Sequence, residues 1–291
     1  MQKILIMTDS ACDLEPDVIK SLDIKVLPFN IAIDDLSFKE GVDKSKKEVY
    51  ELMESSDSIP KTAQITSFEF EEAYKEAFEK GYTHIIYVSI SASASATHSN
   101  AIMAINNFFE ENPDAKNKLE IKVIDSKGYT GMYGYPLIEA AKKVAKGADA
   151  ESVIAYIEEW CSCVTAYFVP MTLKYAKKSG RISAAAAFAG ELLGLKPIIE
   201  MIDGASIIHE KIRGEKNIIP KLMAQIEKVM TPQTPYVMLT AKDDTLAKEL
   251  EKEMIKKYGY KAEYYSHVGA AVAANAGPDL VGVAFRKNIS N

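Results

Sequence analysis

Four short runs of apolar and β-branched residues punctuate the first half of the chain: KILIMTDS at 3–10, IKVLPFNIAI at 24–33, HIIYVSI at 84–90 and IKVIDS at 121–126. Between them apolar residues recur three and four apart, as in EVYELMES (48–55) and FEEAYKEAFEKG (70–81), the spacing that lines one face of a helix. Strand and helix in alternation predict an α/β layer built on a mostly parallel sheet. Two more helical patterns, MYGYPLIEAAKKVAKG at 132–147 and AESVIAYIEEWCSC at 150–163, close this part of the chain.

From TAYFVP at 165–170 the rhythm changes. KPIIEMIDGASIIHEKI (196–212) holds two apolar runs around Asp203-Gly204, a hairpin signal because glycine accepts a positive φ at little cost. Helix, strand, helix, strand and strand then follow in NIIPKLMAQIEKVM, PYVMLTAK, TLAKELEKEMIKKYG, KAEYYSH and LVGVAF. The chain reads as two domains: an N-terminal α/β domain over 1–165 and a C-terminal α+β domain over 166–291 with a mixed or antiparallel sheet. No Pro-, Ser- or Gly-rich linker parts them and no internal repeat occurs, so an extensive interface is expected.

Composition narrows the function. With 47% apolar and 26% charged residues over 291 positions, the chain can bury a core without disulfides or metals. A net charge of −6 argues against a general nucleic-acid binder, which needs clustered cations. The alanine-rich ISAAAAFAGELLGLKPII is interrupted by Glu191, glycines, a lysine and a proline, so no membrane span is expected and any membrane contact is transient. The opening MQKILIMTDSACD turns polar by position 8, too early for a secretory apolar region, and reads as the first strand. Cys12, Cys161 and Cys163 form no C-x-x-C pair; neither a disulfide framework nor a zinc site is expected, and the reducing cytoplasm is the expected compartment.

Phosphate loops, dinucleotide loops, nucleophile elbows and zinc-protease helices are all missing from the sequence. GYTGMYG (128–134) has glycines three apart but not the dinucleotide spacing, and reads as a turn with close helix packing. HEKIR at 209–213 lies in a predicted strand without a second histidine. His84, His98, His209 and His267 are scattered, and structural roles are expected for them. Asp9 in TDS and Asp125 in IDS close predicted parallel strands, the end at which open α/β sheets bind ligands. Capping of the turns that follow is their plainer role.

Two segments carry hydroxyls toward a ligand. PKTAQITSFEF (60–70) puts Thr62 in a polar loop before a helix capped by Thr66 or Ser67. SISASASATHSN (89–100) runs a row of hydroxyls from a strand end into the helix of Ile102, Ile105 and Phe109. Free backbone N–H groups and the positive end of a helix meet there and favour an anion. Capping by Ser95 or Thr97 accounts for one hydroxyl of that row.

Together these segments resemble the DegV family of bacterial fatty-acid-binding proteins over nearly the whole chain. IMTDSACDL is similar to the family's opening Asp-Ser pattern, and PKTAQIT (60–66) to its Pro-x-Thr-Ser-Gln-Pro-Ser loop, keeping Thr62 and Gln64. SASASAT (91–97) resembles Ser-Ser-x-Leu-Ser-Gly-Thr, keeping Ser91, Ser95 and Thr97 but carrying Ala94 and Ala96 in place of Leu and Gly. VIDSKGYTGMYG resembles the Val-x-Asp-Ser stretch. LKYAKKSGRISAAAAFAGELLGLKPII with DGASIIHEKIRG resembles the Lys-Gly-Gly-Arg turn, leucine-rich helix, Lys-Pro and Lys-x-Arg-Gly series. The closing Gly-x-Val-Ile-x-x-His-x-Gly-Pro-Gly departs: Asn275 stands at the histidine and Asp279 at the last glycine.

The resemblance implies a non-catalytic lipid carrier with no cofactor, holding one long-chain fatty acid between its domains. It implies that Thr62 and Ser95, with Ser91 and Asn275, bind the carboxylate. It further implies that a separate fatty acid kinase phosphorylates the acid for phospholipid synthesis, with Arg181 and Arg213 near the portal or the docking surface. Small residues at 184–189 and 270–276 would shape an apolar tunnel or simply pack their elements. Two alternatives remain at this stage: an α/β hydrolase-like or phosphotransfer enzyme using Asp9, Asp125 and a serine, and an interaction module with no small ligand.

Overall fold

The computed structural model describes residues 2–180, 182 and 194–288. Strand β1 (Ile4–Asp9) is buried at every residue, as a strand covered on both faces must be. Around it stands a four-stranded parallel sheet in which β2 (Lys25–Leu27) and β6 (His84–Ser89) flank β1, and β7 (Glu120–Asp125) lies outside β6. The run 24–33 does not continue as one strand. Pro28 has no N–H to give a ladder, and Asn30–Ile33 (β3) pairs instead with β4 (Leu36–Lys39) and β5 (Lys61–Ala63) in a small antiparallel sheet. Sequence pattern does not predict β5, whose three residues are all exposed; Thr62 therefore lies on a strand and not in the expected loop.

Helices α1 (Pro16–Ser21), α2 (Lys46–Ser55), α3 (Ser67–Glu79), α4 (Thr97–Glu111), α5 (Gly131–Ala145) and α6 (Ala150–Cys163) join these strands. Reciprocal capping boxes open α2 (Ser45 with Glu48) and α3 (Thr66 with Glu69), satisfying N–H groups that the helices leave unpaired. α3 and α4 pack through Tyr74, whose ring meets Phe108 and whose hydroxyl donates to Ala101 O at 3.0 Å.

The chain enters a second, six-stranded sheet at β8 (Val164–Pro170), followed by α7 (Lys174–Ser179), β9 (Leu195–Ile202), β10 (Ala205–Arg213), α8 (Ile218–Val229), β11 (Tyr236–Thr240), α9 (Thr245–Tyr258), β12 (Tyr264–His267), α10 (Ala270–Ala276) and β13 (Leu280–Arg286). Its order is β10-β9-β8-β13-β11-β12; β11 and β12 run parallel and the other pairs antiparallel, a mixed sheet as expected.

Alternation along these strands divides two apolar clusters. Tyr167, Val169, Met238, Val281, Val283 and Phe285 face α8 and α9, meeting Leu222, Ile226, Leu250 and Met254. Ala166, Phe168, Val237, Leu239, Leu280 and Ala284 face the other way, into one cluster continuous with the core of the first sheet. Burial on both sides explains why these runs carry no polar alternation. α5 lies directly on β11 and β12: a methyl at Gly131 would come within 2.7 Å of Val237 Cγ1 and 2.9 Å of Ser266 Cβ, which bears out the reading of close helix packing. Among the described residues no helix is long and apolar enough to cross a membrane.

Candidate functional site

A cavity of about 470 Å³ opens where the carboxyl ends of the parallel strands meet the second sheet. Small-molecule sites commonly enclose about 300–1,000 Å³. Phe168 of β8, Met201 of β9, Leu239 of β11 and Leu280 of β13 form one apolar wall; Ala271, Val272 and Ala276 of α10 form another. Ile90 and Met132 continue that surface from the first sheet's side. Polar groups come from four places: Thr62 and Gln64, the segment Ser93, Ser95 and Ser99, the pair Tyr129 and Thr130, and Asn275. None of the described lining residues is a lysine, arginine or histidine.

Two carboxylates, Asp9 buried and Asp125 half-buried, hold the serine segment in place. Asp9, fully buried, accepts from Ala11 N (3.2 Å) and the Tyr133 hydroxyl (2.6 Å) on one oxygen, and from Ile90 N (2.8 Å) and the Tyr87 hydroxyl (3.0 Å) on the other. Asp125 Oδ1 accepts from Ala92 N (3.0 Å) and Lys127 N (2.9 Å). Neither aspartate lines the cavity. Both do the turn-capping work that is their plainer reading, and they tie neighbouring strand ends to alternate residues of the loop.

Ser95 half-faces the cavity, 2.9 Å from Thr97 Oγ1, and accepts from Thr97 N at 3.3 Å. The N-cap of α4 is Ala96, not Ser95 or Thr97, and it offers no side-chain cap; no acidic residue follows in the first turn. Beyond Thr97 N, which donates to Ser95 Oγ, the positive end of that helix borders the cavity through Ala96 and Ser99. Ile65 N donates to Thr97 Oγ1 (3.3 Å) and Asn100 Nδ2 to Ile65 O (2.7 Å), which draws the Thr62–Gln64 strand beside the start of α4.

The remaining candidates are placed differently. Ser91 is buried and does not line the cavity; its hydroxyl sits 2.8 Å from Ser93 Oγ. Asn275 borders the cavity but spends one amide hydrogen on Ala271 O (2.8 Å), a turn back in α10. Arg213 ends β10, exposed to solvent and away from the lining. Arg181 and the small residues at 184–189 lie outside the described residues.

A family profile described as "Uncharacterised protein, DegV family" matches residues 3–288. The chain belongs to the DegV family. A DegV domain-containing protein of Clostridium acetobutylicum is 31% identical over 289 residues, covering 97% of this chain and 98% of that protein. Among solved structures, a DegV family protein of Thermus thermophilus, described by its fatty acid binding, is 26% identical with a TM-score of 0.82, covering 98% of this chain and all of the other. A stearic acid-binding protein from Eubacterium ventriosum shares the fold at a TM-score of 0.84 and 23% identity, covering 98% and 97% of the two chains.

Sequence reasoning missed much of this DegV cavity's lining: Phe29, Tyr129, Thr130, Phe168, Met201 and Leu239. A run buried on both faces gives no sign that one face borders a cavity. Thr130 did carry a signal that pattern cannot resolve, since it holds φ 50° and ψ −134° just before α5. Such backbone, at about 1–3 kcal/mol, gathers at functional sites.

A charged cluster fixes the DegV helix α10 from behind. Asp13 Oδ1 accepts from Gly269 N (2.7 Å) and Glu40 Oε1 from Ala271 N (3.0 Å), while the Tyr50 hydroxyl donates to Val268 O. Asp13 Oδ2 is buried without a hydrogen-bond partner. His267 lies between Glu15 (3.3 Å) and Asp244 (3.1 Å), and Lys46 reaches Glu15 at 2.8 Å.

Burial lifts the carboxyls of Asp13 and Glu40 above their ordinary range, and lifts Asp9 from 3.8 to about 6 against its four hydrogen bonds. The hydrogen bond to Glu15 raises His267, whereas Glu15 falls to about 2 because His267 and Lys46 outweigh its burial. Acids with raised folded-state pKa take up protons on folding, so stability grows as pH falls through that value. The His267 bridge likewise holds below its ordinary pKa and is lost as pH rises. Glu15 opposes only in strong acid, below its ordinary 4.5. Urea midpoints are therefore expected to be higher at about pH 5.5 than at about pH 8, with Asp9→Asn narrowing the difference. A midpoint that is level or falls on this acidification contradicts the assignment.

Proposed function

We propose that this DegV chain is a fatty-acid carrier without catalysis of its own, closing two domains, 1–165 and 166–291, around one long acyl chain. The observation that carries it is a cavity that sets apolar walls against neutral hydroxyls, amides and the start of α4. That set suits a carboxylate at one end of a hydrocarbon. A tail of about fourteen methylenes, at roughly 0.8 kcal/mol each, gives a gross gain on the order of 11 kcal/mol, from which association costs subtract. Little is then required of the head group, in keeping with a site whose described lining residues include no cation.

Thr62 and Ser95 are the proposed carboxylate ligands, Asn275 a further donor through its second amide hydrogen, and Ser91 a support of the loop. A separate cytoplasmic fatty acid kinase is the proposed recipient, met near Arg181 and Arg213. The enzyme alternative gains nothing from Asp9, whose two oxygens are taken by backbone and phenol donors, or from Asp125, which does not line the cavity and whose Oδ1 takes two backbone N–H groups. Native mass spectrometry of protein purified from cells tests the reading: a mass increment of a long-chain fatty acid supports it. A protein that is empty and also refuses oleate and palmitate sinks it. Thr62→Val is expected to weaken oleate binding by about 1–3 kcal/mol in calorimetry, since it leaves the carboxylate short of a donor. An unchanged affinity removes Thr62 from the site.

A further inference from the structure

We infer that the Asp203-Gly204 turn of the β9–β10 hairpin is a positioning element for the carboxylate loop: it clasps Ser91 and Ser93 so that Ser95 and the start of α4 face the cavity. This rests on the fatty-acid reading above and names a part of that site which lies more than a hundred residues away in sequence. The Ser93 hydroxyl donates to Gly204 O at 2.9 Å, and Ser91 Oγ stands 2.8 Å from Ser93 Oγ. Tyr129, which borders the cavity, donates its hydroxyl to the same carbonyl at 3.3 Å. Gly204 N donates to Lys127 O at 2.7 Å, and Lys127 Nζ lies 3.4 Å from Asp203.

Three segments distant in sequence, 91–94, 127–129 and 203–204, thus close on one carbonyl. The turn asks for a residue tolerant of positive φ followed by glycine. Asp203 and Gly204 hold φ of 48° and 74°, the paired positive values of a type I′ hairpin. A methyl on Gly204 would stand 2.6 Å from Ser91 Oγ and 2.7 Å from Ser93 Oγ. The Ser91 and Ser93 hydroxyls are therefore engaged at the hairpin tip, where Ser93 also borders the cavity, while Ser95 and Ser99 line the cavity beyond it. The same hairpin carries Met201 on the apolar wall, so one rigid element touches both the tail and the head-group loop.

The test compares oleate with oleyl alcohol, which has the same tail and no charge, on wild type, Ser93→Ala and Gly204→Ala. Ser93→Ala removes the hydrogen bonds to Gly204 O and Ser91 Oγ and adds no bulk; oleate affinity is expected to fall about three- to tenfold, with under about twofold loss for the alcohol. Gly204→Ala drives a methyl into both hydroxyls from a strained backbone, and at least about tenfold loss for oleate is expected, again exceeding the loss for the alcohol. Urea midpoints accompany each variant, so that a general loosening is recognised. Wild-type oleate affinity in both variants, or equal losses for oleate and alcohol, overturns the positioning role. A wild type that binds neither ligand overturns the fatty-acid reading itself, and the inference with it.

Discussion

Asp9→Ala is expected to destabilise the fold by roughly 3–5 kcal/mol, the largest effect of any single polar substitution considered. The carboxylate is fully buried and takes four donors: two backbone N–H groups and two tyrosine hydroxyls. Deleting it leaves Ala11 N, Ile90 N and both phenols facing a void, each orphan costing about 1–3 kcal/mol before relaxation. Release of a desolvated charge offsets part of that sum, because burial already makes the ionised form unfavourable. Asp9→Asn keeps one acceptor oxygen and lets a phenol turn to accept from the amide, so about 1–2 kcal/mol is expected. Urea unfolding in the apparent two-state range measures both. If the alanine variant is as stable as wild type, Asp9 is not the anchor of β1 and the serine loop. Fatty acid affinity is expected to fall with it, since Ile90 begins the segment that carries Ser95.

The same residue shows what could be read before any coordinates. Asp9 and Asp125 were legible as strand-end carboxylates because strand ends and helix starts follow from periodicity, and the parallel sheet follows from their alternation. Which donors they take was not legible, since Tyr87 and Tyr133 lie far along the chain from Asp9. The hairpin at Asp203-Gly204 was legible from two residues, yet the partner of its tip was not. Thr62 was rightly set beside a helix start, but its strand was hidden because β5 has no apolar alternation and pairs only through β3. The serine row divides in a way composition does not reveal: Ser91 supports the loop, Ser93 meets the hairpin tip and also borders the cavity, and Ser95 and Ser99 line the cavity. Long-range pairing, not local propensity, decides each of these points.

Ala166→Phe is expected to change which acyl chains this protein accepts. Ala166 lies on β8 opposite Met201 of β9 and borders the cavity, so a phenyl ring there grows into the space proposed for the tail. Displacing about three methylenes, at roughly 0.8 kcal/mol each, lowers the affinity for oleate about fifty- to a hundredfold. Laurate, shorter by more methylenes than the ring displaces, is expected to lose less than about threefold. Because the ring stays among apolar neighbours, Phe168, Met201 and Leu280, it replaces part of the apolar surface the tail would cover, and the unfolding free energy of the ligand-free protein in urea should hold within about 1 kcal/mol. Titration of laurate, palmitate and oleate against both proteins reads the ratio directly, and the ratio is insensitive to the fraction of active protein. A parallel drop for all three acids would mean that the ring disturbs the fold or the head-group loop. An unchanged ratio would mean that the tail runs along a different wall, and it would leave Met201 and Leu280 as core residues with no part in chain-length selection.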